Sequence, residues 1–587
     1  MSEPHQPGHW SSRLNRWLRR GPPRHYRGPE VPAILQAVDS LLEGGEGDWR
    51  AAPRLKETYF HPTRPSPSPA VVAQAEGVMA GEFRVAGRYP IQPLGRPPDW
   101  GSELTEDHNW LSSLHGLEWL APLFHAHAAK PEGGYLESAV GVARDWIEHN
   151  PFRGAPSRFS WHDHAAAKRL RLFAWLWEQY RGNDGYAAEF ARLLLASVYQ
   201  HARYHLEERN YGRYSNHGLE AIGALWAAAV TFPFFRAAPE WEAMARRRAV
   251  QWVGDNLSTE GFHLEQSPSY HWFVLLRLAA LDRFLAANER SAPELTEATE
   301  RAARVWPHLL QPNGVVPGVG DSSRQAPANW RRYLESRWGR SAPATEVREG
   351  LTVSPRAGHA IFRAGAGQEP GVYVLFRCHA FISTHCHCDA LSFVLHGLGR
   401  DWIVDPGYLN YHDWDRRRHY LRSPRAHSLV VIGESDFRTG NSECLEWGSA
   451  AEGEYVVAYH DLPQARHTRR VQLAPAGVLT LTDQVQPARR KPVPWVQLFQ
   501  VAPDLTVEIV TDREAQLIAE GARCVITQSL PGKWQVIRGQ TRPRLQGWYS
   551  EAYGKWEPGT TLVFRPPPST TALTSVVELR AEGQADQ

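Results

Sequence analysis

The hydrophobic period of the chain changes once, and that change limits the folds open to it. From about residue 104 to 311, apolar residues recur at the three-to-four spacing of helices that bury one side. The runs 110–127, 136–148, 165–180, 187–207, 219–231, 241–256, 270–287 and 294–310 carry this pattern. Their connections are short, and Pro or Gly often marks them. After about residue 345 the helical spacing fades. Short β-branched and aromatic runs take over at 373–377, 404, 429–432, 455–459, 471–473, 478–481, 495–499 and 562–564. Consecutive antiparallel helices of this size predict a bundle or an (α/α) toroid, and the later runs predict antiparallel sheets packed as a β-sandwich. The expected fold is therefore α+β and multidomain. Residues 1–100, rich in Pro and Arg, read as an arm packed on the helical layer, with helices over 31–42 and 70–80; residues 101–345 form the helical domain, and 346–587 the sandwich.

Composition narrows the function classes. A chain of 587 residues exceeds what one core supports. A net charge of +2 gives no global support to nucleic-acid binding. Five cysteines, an odd number in so long a chain, do not make a disulfide framework. No apolar run reaches membrane-spanning length, so no membrane partner is expected. Arg19-Arg20 is followed by Gly-Pro-Pro-Arg, where a signal peptide needs an apolar stretch. As written the protein is expected in the cytoplasm; a misassigned start would make it periplasmic or secreted. The 24 tryptophans supply flat faces suited to sugar rings, although many are expected in the core.

Chemistry concentrates in the stretch Ser383-Thr384-His385-Cys386-His387-Cys388-Asp389, followed by Asp405-Pro406-Gly407 and Arg425-Ala426-His427. If residues 372–395 are strands with alternating faces, His385, His387 and Asp389 point one way, and Cys386 and Cys388 the other. Gly397-Leu398-Gly399-Arg400 reads as a hairpin turn whose returning strand brings Asp405 level with the histidines, and His427 opens a further strand. Imidazole nitrogen and carboxylate oxygen suit zinc, so His387, Asp405 and His427 are the expected ligands and His385 is left over. Two alternatives stand beside this one. The residues also fit polar groups merely satisfied at strand ends, or thiolate ligation by Cys386 and Cys388, which are too close for a CxxC knuckle.

Three separated motifs carry a family resemblance: Ser215-Asn216-His217-Gly218, the segment Gly261-Phe262-His263-Leu264-Glu265-Gln266-Ser267-Pro268-Ser269-Tyr270-His271, and the His-x-His-x-Asp stretch with its downstream Asp-Pro-Gly and Ala-His. In their order and separations, over roughly residues 100–435, the chain resembles the heparinase II/III-like polysaccharide lyases, a superfamily that includes heparin, heparan sulfate and alginate-oligomer lyases. It departs at one point: Ser428-Leu429 stands where the family usually has Asn-Thr. The resemblance implies an incomplete (α/α) toroid. It also implies a mainly structural zinc that ties strands together beneath the cleft, and β-elimination on a uronic-acid glycan. Such a lyase removes the C5 proton, alpha to a carboxylate, and expels the oxygen at C4. It needs donors to neutralise the carboxylate, a base near C5 and an acid near the leaving oxygen. By resemblance, Asn216 and His217 donate to the carboxylate, Tyr270 is base, acid or both in turn, and His385 is the second base or acid.

Each of these residues also has an ordinary use. Asn216 fits a helix N-cap, His217 a satisfied core histidine, Tyr270 an apolar helix face, and His385 a fourth ligand. Glu265 and His271 either orient the tyrosine or are solvated. Arg422 and Arg425, in a run with Arg416-Arg417-Arg418, are substrate-binding candidates, because arginine contacts carboxylate or sulfate through two donors; a solvated run paired with Asp413 and Asp415 fits as well. His162 and Arg169 are further cleft candidates near Trp161-His162-Asp163-His164, where a hydrogen-bonded helix terminus is favoured over a second metal. The expected partner is an anionic uronate polysaccharide or oligosaccharide, and a homodimer is compatible with the sequence. Two other functions remain. One is a glycoside hydrolase on the same kind of toroid, for which Asp321 or Glu265 would have to serve as carboxylic acids. The other is a non-catalytic glycan-binding protein.

Overall fold

The computed structural model describes residues 25–59, 68–85, 89, 91–102, 107–324, 329–347, 349–365, 371–379, 385–412, 414–433, 440–489 and 491–582. Arg19, Arg20, Ser383, Thr384 and Asp413, named above, lie outside them. The chain divides into two compact units. The first runs to Asn256 and includes Leu276–Thr299 and Arg331–Ser341; the second consists of Leu257–Leu275, Glu300–Trp330 and the chain from Ala342 onward.

The first unit is helical. Its main helices are Tyr135–His149, Asp163–Tyr180, Ala188–Leu206, Asn216–Thr231 and Ala238–Asn256. Asp163–Tyr180 and Asn216–Thr231 are buried at nearly every position, which places them at the centre rather than on a surface. Their alanine-rich faces (Ala165 to Ala167, and Ala227 to Ala229) let neighbouring helices approach closely, and the two pack on each other. The run 110–127 is two helices, His108–Gly116 and Ala121–Ala129, because Leu117 takes a left-handed φ of 58° and ends the first. Asp107 caps that first helix by accepting from the Asn109 amide at 2.8 Å. Toward the N-terminus, Val31–Leu41 packs on Ala188–Leu206, and Pro69–Ala80 runs from a Ser68 cap to Gly81 at φ 87°.

The second unit carries two large antiparallel sheets. One has eight strands, from Thr506–Ile509 at one edge to Ser442–Ala450 at the other; the second has nine and includes Val372–Arg377, Phe393–Gly397, Arg400–Ile403, Trp495–Val501 and Thr560–Arg565. Ala465–Leu473 alternates buried and less buried positions along its length, the mark of one face turned to a core. Val456, Val471 and Leu481 of one sheet and Phe376, Trp402 and Phe499 of the other share one apolar cluster, so the two sheets form a sandwich. A buried ion pair joins two neighbouring strands of the eight-stranded sheet. Arg469 donates to Asp483 at 2.7 and 2.9 Å and to the carbonyls of Leu391 at 2.7 Å and Ser428 at 3.1 Å. The core thereby anchors the backbone that bears the histidines.

Strand pairing explains how distant residues converge. Arg400–Ile403 and Val430–Ile432 both pair with one edge of Trp495–Val501, the first at Val501 and the second at Trp495 to Gln497. The chain leaves that edge after Val404 and returns at Leu429, and Gln500 fills the gap. Its carbonyl accepts from the Val404 amide at 2.9 Å, its amide donates to Ser428 Oγ at 2.9 Å, and its side chain donates to the His427 carbonyl at 3.2 Å. Asp405 and His427 are thereby delivered side by side.

Candidate active site

Residues 385–389 do not form a strand. The strands are Val372–Arg377 and Phe393–Gly397, and 385–392 is an irregular loop between them. Alternating faces therefore do not apply. Asp389 turns to Arg377, which donates to it at 3.1 Å, and Cys386 is directed to the Glu265 carbonyl at 3.4 Å and Gln266 Oε1 at 3.3 Å. Thiolate ligation by the two cysteines is not formed: no metal-type cluster among the described residues includes a cysteine, and burial pushes the Cys388 thiol up to about 11. The predicted hairpin is present, with Leu398 and Gly399 at φ 51° and 72°.

Tyr270, in the first turn of the helix Pro268–Ala287, lies with its ring stacked on His385, centroids 3.5 Å apart and planes 18° from parallel. Its hydroxyl shares a 2.8 Å hydrogen bond with that of Tyr411. The phenol is thus not packed in hydrocarbon, as an ordinary core tyrosine would be. Burial, opposed by the Tyr411 hydrogen bond and reinforced by the charge of Asp321, holds the Tyr270 hydroxyl protonated above the usual tyrosine range. His271 behaves otherwise: it is buried, bonded to the Ala302 carbonyl at 2.9 Å and lowered by burial to about 4, which makes it a neutral core histidine.

Asp321 links the site together. Its Oδ2 lies 3.0 Å from His385 Nδ1 and its Oδ1 3.1 Å from His387 Nε2, with Arg418 Nη1 at 3.8 Å. Burial works to raise its pKa, but Arg418 and the two imidazoles outweigh it and hold the carboxyl well below the usual range. It arrives on a tight turn, Gly318-Val319-Gly320-Asp321. A Cβ on Gly320, at φ 60°, would sit 2.7 Å from the His385 carbonyl, and one on Gly318 would sit 3.2 Å from that of Asp405. Tyr411 and Arg418 were not singled out as site residues from sequence, and Asp321 entered only as a hydrolase acid. The two glycines beside Asp321 were the available signal.

His387, Asp405 and His427 form a fully buried cluster whose donor atoms all lie within 4.8 Å of one another. His427 Nδ1 bonds Asp405 Oδ2 at 2.7 Å. His387 Nδ1 and His427 Nε2 are buried with no hydrogen-bond partner among the described residues. Two orphaned imidazole lone pairs beside a carboxylate are the chemistry a zinc ion satisfies, so the residues fit the metal. Burial lowers His387 against the pull of Asp321; in His427 the charge and hydrogen bond of Asp405 overcome burial and raise it. Where the sequence departs from Asn-Thr, the His427–Ser428 backbone is held instead by Gln500 and by Ser392, whose Oγ accepts from the Ser428 amide at 3.2 Å.

The helical unit holds a second polar cluster. Ser215 is the N-cap of Asn216–Thr231, so Asn216 is the first helical residue and not the cap, and it is 6% exposed. His217 Nδ1 lies 3.2 Å from Asp163 Oδ1, and His162 Nδ1 lies 3.1 Å from the same oxygen. His164 stacks on His217 with centroids 4.6 Å apart. Arg169 is not available to a ligand. It is 0% exposed, with Nε on His201 at 2.8 Å, Nη1 on the His115 carbonyl and its guanidinium 3.5 Å from the Trp146 ring centroid. On a helix buried all round, its position faces the interior. In the arginine run, Arg417 pairs with Asp415 at 2.7 Å and Arg418 turns inward over the Tyr411 ring, while Arg422 and Arg425 are partly exposed.

Comparison with known proteins agrees with this architecture. The heparinase II/III N-terminus family matches residues 64–347, and the heparinase II/III-like C-terminal family matches residues 347–579. The chain belongs to the heparinase II/III-like family. It is 22% identical over 510 residues to a heparin-sulfate lyase of Bacteroides thetaiotaomicron, spanning 77% of this chain and 72% of that protein. A crystal structure of heparinase III matches with TM-score 0.77 at 16% identity, covering 97% of this chain and 94% of the other. The heparan sulfate lyase of Pedobacter heparinus gives 0.68 at 16% identity, covering 99% and 92%.

Proposed function

We propose that the protein is a polysaccharide lyase that cleaves a uronate-containing glycan by β-elimination, with His385 as base and Tyr270 as acid. The observation that carries the assignment is the phenol of Tyr270 stacked on His385 while Asp321 holds the Nδ1 edge of that imidazole. An ionised Asp321 accepts the proton of His385 Nδ1, which sets the tautomer and leaves Nε2 in its acceptor form, suited to the C5 proton. The Tyr270 hydroxyl, kept protonated by burial, is suited to deliver a proton to the departing C4 oxygen. Asn216 and His217, on the helical unit, keep the role of neutralising the uronate carboxylate. Partly exposed Arg422 and Arg425 fit an anionic polymer.

His387, Asp405 and His427 would hold a zinc ion, whose contribution when bound is to tie the loop before Phe393–Gly397 to the segments after Ile403 and before Val430. Asp321 is unsuited to general-acid work in a hydrolase, because it is buried, ionised and already engaged by two imidazoles. The test is a panel of uronate polysaccharides followed by the ultraviolet absorbance of unsaturated uronate ends, with Tyr270→Phe and His385→Ala as controls. Bond cleavage without that absorbance would make the protein a hydrolase, and binding without cleavage would make it a carrier.

A further inference from the structure

The polar cluster of the helical unit has the composition of a metal site. His162, Asp163 and His217 offer donor atoms that all lie within 4.8 Å of one another. Asp163 Oδ1 is 3.1 Å from His162 Nδ1 and 3.2 Å from His217 Nδ1. Two ligand atoms on a tetrahedral ion with bonds of roughly 2.0–2.1 Å sit about 3.3 Å apart, so both spacings match a zinc coordination edge. The residues come from two helices that pack on each other, so the arrangement is held by the core of the unit. Asp163 is 3% exposed at its side chain, whereas His162 and His217 are 21% and 24% exposed. An ion could therefore enter and leave without unfolding.

We propose that His162, Asp163 and His217 form a second, exchangeable site for a divalent transition metal such as zinc, with solvent completing the coordination. On binding, each imidazole presents the Nδ1 lone pair to the ion and carries its proton on Nε2, and Asp163 supplies the negative charge.

The test uses the full chain stripped of metal, dialysed against Co2+ and followed by its visible absorption and by metal analysis. The wild-type protein is expected to bind one more equivalent than His162→Ala, and His427→Ala is expected to retain the accessible ion while losing the buried one. His162→Gln, which keeps a polar side chain but removes the imidazole, serves if the alanine variant unfolds; far-ultraviolet circular dichroism decides that. Equal Co2+ stoichiometry in wild type and both His162 variants overturns the site and leaves the cluster a hydrogen-bonded helix terminus.

Discussion

The two units each hold a histidine–aspartate–histidine cluster, and the clusters differ in burial rather than in chemistry. In the sheet unit His387, Asp405 and His427 have side chains 0%, 1% and 0% exposed. In the helical unit His162, Asp163 and His217 stand at 21%, 3% and 24%. The same donors have different consequences in the two settings. Sealed from water, a charge that loses its partner cannot be rescued by solvent, so the first cluster behaves as part of the fold. Open to water, the second can change partners cheaply, which is what a binding group needs.

The largest expected effect is on turnover beside the sealed cluster. Tyr270→Phe and His385→Ala should each reduce formation of unsaturated ends by about 10²–10⁴-fold, and the urea midpoint of Tyr270→Phe should stay near wild type. A loss that follows unfolding instead would give Tyr270 a packing role. Next in size are the losses of stability. Asp483→Asn should cost about 3–5 kcal/mol in chemical denaturation, because it strands the buried Arg469 guanidinium. His427→Ala, which strands Asp405, should cost a similar amount, about 3–5 kcal/mol, whereas partly exposed His162→Ala should cost under about 1 kcal/mol. Similar costs for the two histidine variants would erase the distinction between the clusters. Chelation should lower the melting temperature of wild type but not that of His427→Ala.

Acid and base give smaller contrasts. Burial alone would raise the Asp483 pKa, but Arg469 and His467 hold it well below the usual carboxylate range. A carboxylate depressed in the folded state stabilises the fold above its unfolded value of about 3.9, and that stabilisation fades as pH falls from there toward the folded value. Stability measured from neutral pH downward should therefore drop below about pH 4, and less steeply in Asp483→Asn. The smallest effect is an absence of change. Because the Tyr270 pKa is raised, the phenol keeps its proton where an ordinary tyrosine, with pKa about 10, starts to lose it. An alkaline fall in kcat near that pH that disappears in a Tyr411→Phe background would assign the titration to the tyrosine pair.

What the sequence made legible follows from how each feature is encoded. The helices 165–180 and 219–231 and the strand 495–499 announce themselves by local periodicity, and the structure extends them by two or three residues, whereas the strand expected at 471–473 begins six residues earlier, at Ala465. His387, Asp405 and His427 stood out because few side chains have their chemistry. The loop at 385–389 was misread as a strand, although His-Cys-His-Cys-Asp holds no β-branched residue. Arg169 looked like a cleft residue because its charge was visible and its burial was not. Asp321 and Tyr411 sit on irregular segments where no period exists, and only tertiary contact reveals what they serve.

A single carboxylate, that of Asp321, touches both His385 and His387. The imidazole that stacks on Tyr270 and the sealed cluster are therefore mechanically in series. A shift in how His387 sits is passed to His385 through that carboxylate, so a change made in the interior of this unit reaches the Tyr270–His385 pair.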